Sequence, residues 1–70
     1  MTVQINGESR EVPDGFTVKD LVTHLGLIAN RLAVERNSEI VPRAQWEATR
    51  LAGGDRFEIV HLVGGGAVRA

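Results

Sequence analysis

Alternation sets in at the second residue. In TVQINGES, Val3 and Ile5 share one parity while Thr2, Gln4 and Asn6 share the other, the pattern of a strand with one buried face. Asn6-Gly7 suits the positive dihedrals of a tight hairpin turn, so the chain is expected to return through Arg10 to Val12 as a second strand. The turn supports that strand more than its own pattern does. Beyond Pro13-Asp14-Gly15 the period becomes helical, with Val18, Leu21, Val22 and Leu25 at i, i+3, i+4 and i+7 forming one apolar stripe. Thr17 can cap this helix, Asp20 stands at the capping-box distance, and Gly26 can end it in a left-handed conformation.

RLAVERNSEIVPR reads as a strand around Leu32 to Arg36, a turn at Asn37-Ser38 and a short extended piece through Ile40 and Val41. Pro42 ends that piece or begins a short helical turn holding Trp46, with Leu51 following. Gly53-Gly54-Asp55 is a further turn, and Arg56 to Val63 is the final strand. The elements fit an α+β fold, one mixed sheet clasping one main helix. The pattern leaves the strand neighbours open.

In the last strand, Phe57, Ile59, His61 and Val63 share one parity, and Arg56, Glu58, Val60 and Leu62 the other. Phe57 and Ile59 are assigned to the face that covers the helix. Val60 and Leu62 then lie outside that core and next to three glycines. They are either a docking patch for another protein or a satellite contact within the monomer, and solvent exposure separates the two readings.

Seventy residues make at most one domain, and such a chain hides only about 60% of the surface its unfolded form exposes. Cysteine is absent, so no disulfide framework, thiolate metal site or thiol nucleophile is available, and any sulfur chemistry needs sulfur from outside. Eight Lys and Arg against nine Asp and Glu give no basic footprint for nucleic acid. No apolar run is long enough to cross a bilayer, so a cytoplasmic protein without membrane partners is expected. His24, on the solvent-side flank of the helix, and His61, in the last strand, have no supporting ligand pattern for a metal. Gly53-Gly54 lacks the lysine and helix that follow a phosphate-binding loop. No cofactor and no catalytic constellation is expected.

Two stretches carry a specific resemblance: LAVERNSEIVPRAQW, Leu32 to Trp46, and GDRFEIVHLVGGG, Gly54 to Gly66. Together they resemble the thiamine-biosynthesis sulfur carriers, ubiquitin-like β-grasp proteins related to the small subunit of molybdopterin synthase. The resemblance implies a β-grasp domain over residues 1–63 and a flexible C-terminal tail over 64–70. It implies a protein cosubstrate, with no enzyme activity of its own, whose final glycine is adenylated and then carries sulfur as a thiocarboxylate. Gly65 and Gly66 match the terminal pair, with Gly66 as the sulfur-accepting terminus and Gly64 as a third glycine of the tail. The implied partners are an ATP-dependent adenylyltransferase, a persulfide sulfur donor and thiazole synthase, with Val60, Leu62 and Val63 as candidate docking residues. A molybdopterin-type carrier and a ubiquitin-like modifier or binding module are the alternative roles. The departure is AVRA, Ala67 to Ala70: these residues put the Gly66 carbonyl in a peptide bond, so a C-terminal peptidase is expected to remove them.

Overall fold

The structure, a computed structural model describing residues 1–70, follows the alternation closely. Strands β1 (Thr2–Ile5) and β2 (Glu8–Glu11) form an antiparallel hairpin, with Asn6 and Gly7 both at positive φ. The second strand begins earlier than its pattern suggests and ends before Val12, because the register starting from a two-residue turn pairs Ile5 with Glu8 at once. Helix α1 (Val18–His24) crosses over to β3 (Leu32–Arg36). There follow β4 (Glu39–Ile40), a single 3-10 turn (Arg43–Gln45), β5 (Arg56–Val63) and β6 (Gly66–Arg69).

The sheet order is β2-β1-β5-β3-β4, with β1 and β5 parallel at its centre and β6 added to β5. This is the β-grasp arrangement. A seven-residue helix is too short to persist alone in water. It is held by burying Val18, Leu21 and Val22 against the sheet and by a reciprocal cap: the Asp20 N–H donates to Thr17 Oγ1, and the Thr17 N–H donates to Asp20 Oδ2. Lys19 on this helix reaches Glu47 at 2.8 Å. Their mutual hydrogen bond, and then their opposite charges, hold the lysine above its ordinary pKa and the glutamate below its own.

One cluster of thirteen buried residues runs from Val3 to Ile59 and includes Phe57 and Trp46. Trp46 closes the core's edge, its indole N–H donating to the Val41 carbonyl at 2.9 Å while Arg43 stacks on its ring. Sequence pattern gave no sign of the buried carboxylate of Asp55, which read only as part of a turn. Its oxygens accept from the Ala52 N–H at 2.8 Å and the Asn37 side-chain amide at 3.1 Å, and the Arg36 guanidinium lies 3.3 Å away. The carboxylate thereby pins the start of β5 to the β3–β4 turn. Asp55→Ala leaves those donors without their acceptor and is expected to cost about 2 kcal/mol in urea unfolding; an unchanged midpoint would show the cluster to be idle.

Candidate functional site

Strand β5 presents its β1-side edge to three different partners in succession. β1 pairs with it in parallel at Gln4 with Arg56 and Ile5 with Phe57, then turns away at Asn6. The Asn6 carboxamide continues in place of a strand: its oxygen accepts from the Ile59 N–H at 2.8 Å, and its nitrogen donates to the Ile59 and Ala70 carbonyls, each at 3.1 Å. Past that point β6 takes the edge, pairing Val60 with Arg69, His61 with Val68, Leu62 with Ala67 and Val63 with Gly66.

The segment expected to be a seven-residue tail beyond the domain is therefore a hairpin arm in this structure. The correction has a local cause. Gly64 and Gly65 form a two-residue loop with φ of 27° and 90°, and positive φ at both positions gives the twist that returns an antiparallel strand. Glycines that read as slack in the sequence act here as a turn. Arg69 reaches Glu58 at 2.9 Å across the pair, an exposed contact contributing at most about 1 kcal/mol.

Gly66 differs from its two neighbours. It lies outside the left-handed region, and a Cβ placed on it would meet nothing nearer than the Val63 carbonyl oxygen at 3.8 Å. The hairpin needs glycine at 64 and 65, and it does not need one at 66.

Of the candidate docking residues, Val60 is half-buried, whereas Leu62 and Val63 are 45% and 47% exposed. Val68 on β6 is exposed too, but it stands opposite His61 and so on the other face of the hairpin from Leu62. Arg31, to which sequence reading gave no role, lines the open hollow at the hairpin tip with Leu62, Val63 and the glycines. It is held at a φ of 64°, and its carbonyl accepts from the Leu62 N–H at 2.8 Å. Its place just before β3 is legible in the sequence, but the pairing that brings β3 beside β5 is not. His61 is half-buried between Leu32 of β3 and Val68 of β6, while His24 is exposed with its ring edge against Phe16. The structure does not bring the two histidines together, and no three His, Asp or Glu side chains group as a metal site would require. No helix is long and apolar enough to cross a membrane.

Comparison with known proteins gives this geometry a context. A family model described as the ThiS family matches residues 3–66. A protein of Paramagnetospirillum magneticum named thiazole synthase is 41% identical over 70 residues, 100% of this chain and 22% of that protein. The chain thus spans about a fifth of the length of the first curated relatives it matches, 22% and 20%. A Bacillus subtilis protein named sulfur carrier protein ThiS is 37% identical over 65 residues, 91% of this chain and 98% of that one. The crystal structure of the thiamine biosynthesis protein ThiS from Geobacter metallireducens superimposes with a TM-score of 0.82 at 33% identity, covering 94% of this chain and 100% of that one.

Proposed function

The chain belongs to the ThiS family, and from that premise we propose that it is a sulfur carrier of thiamine biosynthesis whose Gly66 carboxyl delivers sulfur as a thiocarboxylate. The observation that supports this most is the glycine the fold does not use. Gly64 and Gly65 serve the turn, whereas Gly66 has an ordinary backbone and room for a side chain. A terminal residue without a Cβ suits an acyl carbon that must enter another protein's active site.

The chemistry sets an order of steps. Hydrolysis of the Gly66–Ala67 peptide bond releases residues 67–70 and frees the carboxylate; for the bond to be reached, β6 must leave β5. The carboxylate oxygen then attacks the α-phosphate of ATP on an adenylyltransferase, pyrophosphate departs, and the acyl-adenylate makes the carbonyl a usable electrophile. The terminal sulfur of a donor persulfide attacks that carbonyl and AMP leaves, giving an acyl disulfide. A thiolate attacks the donor-side sulfur of that S–S bond, so the thiocarboxylate stays on Gly66 and the donor cysteine is left in a mixed disulfide, from which a second thiol frees it as the two reductant thiols become a disulfide. Thiazole synthase is the acceptor, a partner suggested by relatives that carry that name. The exposed Leu62 and Val63 supply apolar area for docking, which offsets the roughly 1–2 kcal/mol per residue lost in ordering the glycines.

The test is a mass measurement. Protein from its native cell is expected to end at Gly66, and the chain ending there, incubated with the adenylyltransferase, ATP, a persulfide donor and a thiol, is expected to gain the mass of one oxygen exchanged for sulfur. The 70-residue chain is expected to stay unchanged in the same mixture. A native population of full-length chains only, or a stable lysine-linked amide where the thiocarboxylate should be, overturns the carrier reading.

A further inference from the structure

The part of the β5 edge covered by β6 has no other partner. Up to Phe57 the edge is held by β1 and at Ile59 by the Asn6 carboxamide. The Ala70 N–H donates to the Ile59 carbonyl at 2.9 Å, so by antiparallel alternation the next pairs bonding across this edge are His61 with Val68 and Val63 with Gly66. Once residues 67–70 are gone, the His61 N–H and carbonyl face outward with nothing to bond. Resting on the carrier reading, we propose that the β5 edge at His61 and Val63 is a docking site for an extended strand of thiazole synthase, and that β6 occupies it in the 70-residue chain as an internal stand-in.

An open edge of this kind recruits an extended segment by strand addition, the main chain giving affinity and alternate side chains giving specificity. β6 shows that the edge accepts an antiparallel strand and what such a strand places where. A small residue, Ala67, stands opposite Leu62; an apolar one, Val68, stands opposite His61; a basic one, Arg69, reaches Glu58. An incoming strand of small, apolar and basic residues in that order meets the same groups. The match to the synthase-named relative extends through residues 67–70, so there the counterpart of β6 lies within a thiazole-synthase-named chain. Docking at this edge also sets the synthase beside the glycines that must enter it.

Val68→Pro in the full chain tests this, because proline removes the N–H that donates to His61 and leaves the core, Val3 to Ile59, untouched. The His61 and Val63 amides are expected to exchange with solvent at least about tenfold faster than in the wild type, with Val34 unchanged. Added thiazole synthase is expected to restore their protection and to bind V68P at least about tenfold more tightly than the wild type. Should Val34 lose protection in V68P, the chain ending at Gly66, which retains every core residue, gives the same readout. Unaltered exchange in the free variant, or binding that leaves both amides labile, overturns the edge site and leaves the carrier reading standing. Failure of the synthase to bind any of these chains strikes the carrier reading itself.

Discussion

Gly66→Ala, made in the chain ending at residue 66, is expected to slow sulfur transfer to thiazole synthase by at least about 100-fold while melting no lower than its parent. The two halves of this expectation have separate causes. Stability is unaffected because the position needs no left-handed backbone and offers room for a methyl group. In the 70-residue chain, where Gly66 begins β6, alanine should even add about 0.5 kcal/mol, since glycine is entropically unfavourable in a strand. Gly65→Ala is the contrast, because its φ of 90° puts a Cβ into a strained conformation and destabilises the hairpin by about 1–2 kcal/mol. On the carrier reading, transfer is expected to be lost because a methyl on the residue that bears the acyl carbon shifts that carbon against the accepting group, and a displacement near 1 Å is enough for such a rate effect. Single-turnover transfer and thermal melting read the two halves independently. A Gly66→Ala carrier transferring at the parental rate would remove the reason for a third glycine.

Where local chemistry decides, the sequence could be read to the residue. The capping pair Thr17 and Asp20, the hairpin pair Asn6-Gly7 and the alternation of Arg56 to Ile59 each hold their meaning within a few residues and stand in the structure as expected, whereas past Ile59 the alternation in burial lapses and Val63 is exposed despite sharing the parity of Phe57. Long-range groupings were not legible. Asn6 reads as a turn residue, yet its carboxamide grips Ile59, 53 residues away. Asp55 reads as a turn residue, yet its partner Asn37 lies 18 residues off. β6 was missed for a different reason: four residues, GAVR, show too little alternation to announce a strand, and the glycines before them suit a turn and a slack tail equally. Of the candidate site, the glycines and the exposed Leu62 and Val63 were legible. Arg31 and the shared edge of β5 were not, because both depend on which strands adjoin.

Phe57→Ala is expected to remove about 3–5 kcal/mol, the cost of deleting a buried aromatic ring. A chain of this size has about 4–10 kcal/mol in total, so the midpoint should fall by roughly 15–30 °C and part of the population should unfold at 37 °C. The position makes the loss general. Phe57 is 2% exposed, lies opposite Ile5 of β1 on one side and Arg36 of β3 on the other, and its carbonyl accepts from the Asn6 N–H at 2.9 Å. Removing the ring loosens both central pairings and, through Asn6, the point at which the edge passes to β6. Leu62, five residues along the same strand, is 45% exposed and packs on none of this. Leu62→Ala should shift stability by no more than about 0.5 kcal/mol while weakening synthase binding about tenfold through lost apolar contact. Urea unfolding and titration calorimetry on the two variants therefore separate the strand's two ends, one holding the body together and the other presenting it. If Leu62→Ala destabilised the fold as much as Phe57→Ala does, the far end of β5 would belong to the core, and the docking surface would have to lie elsewhere.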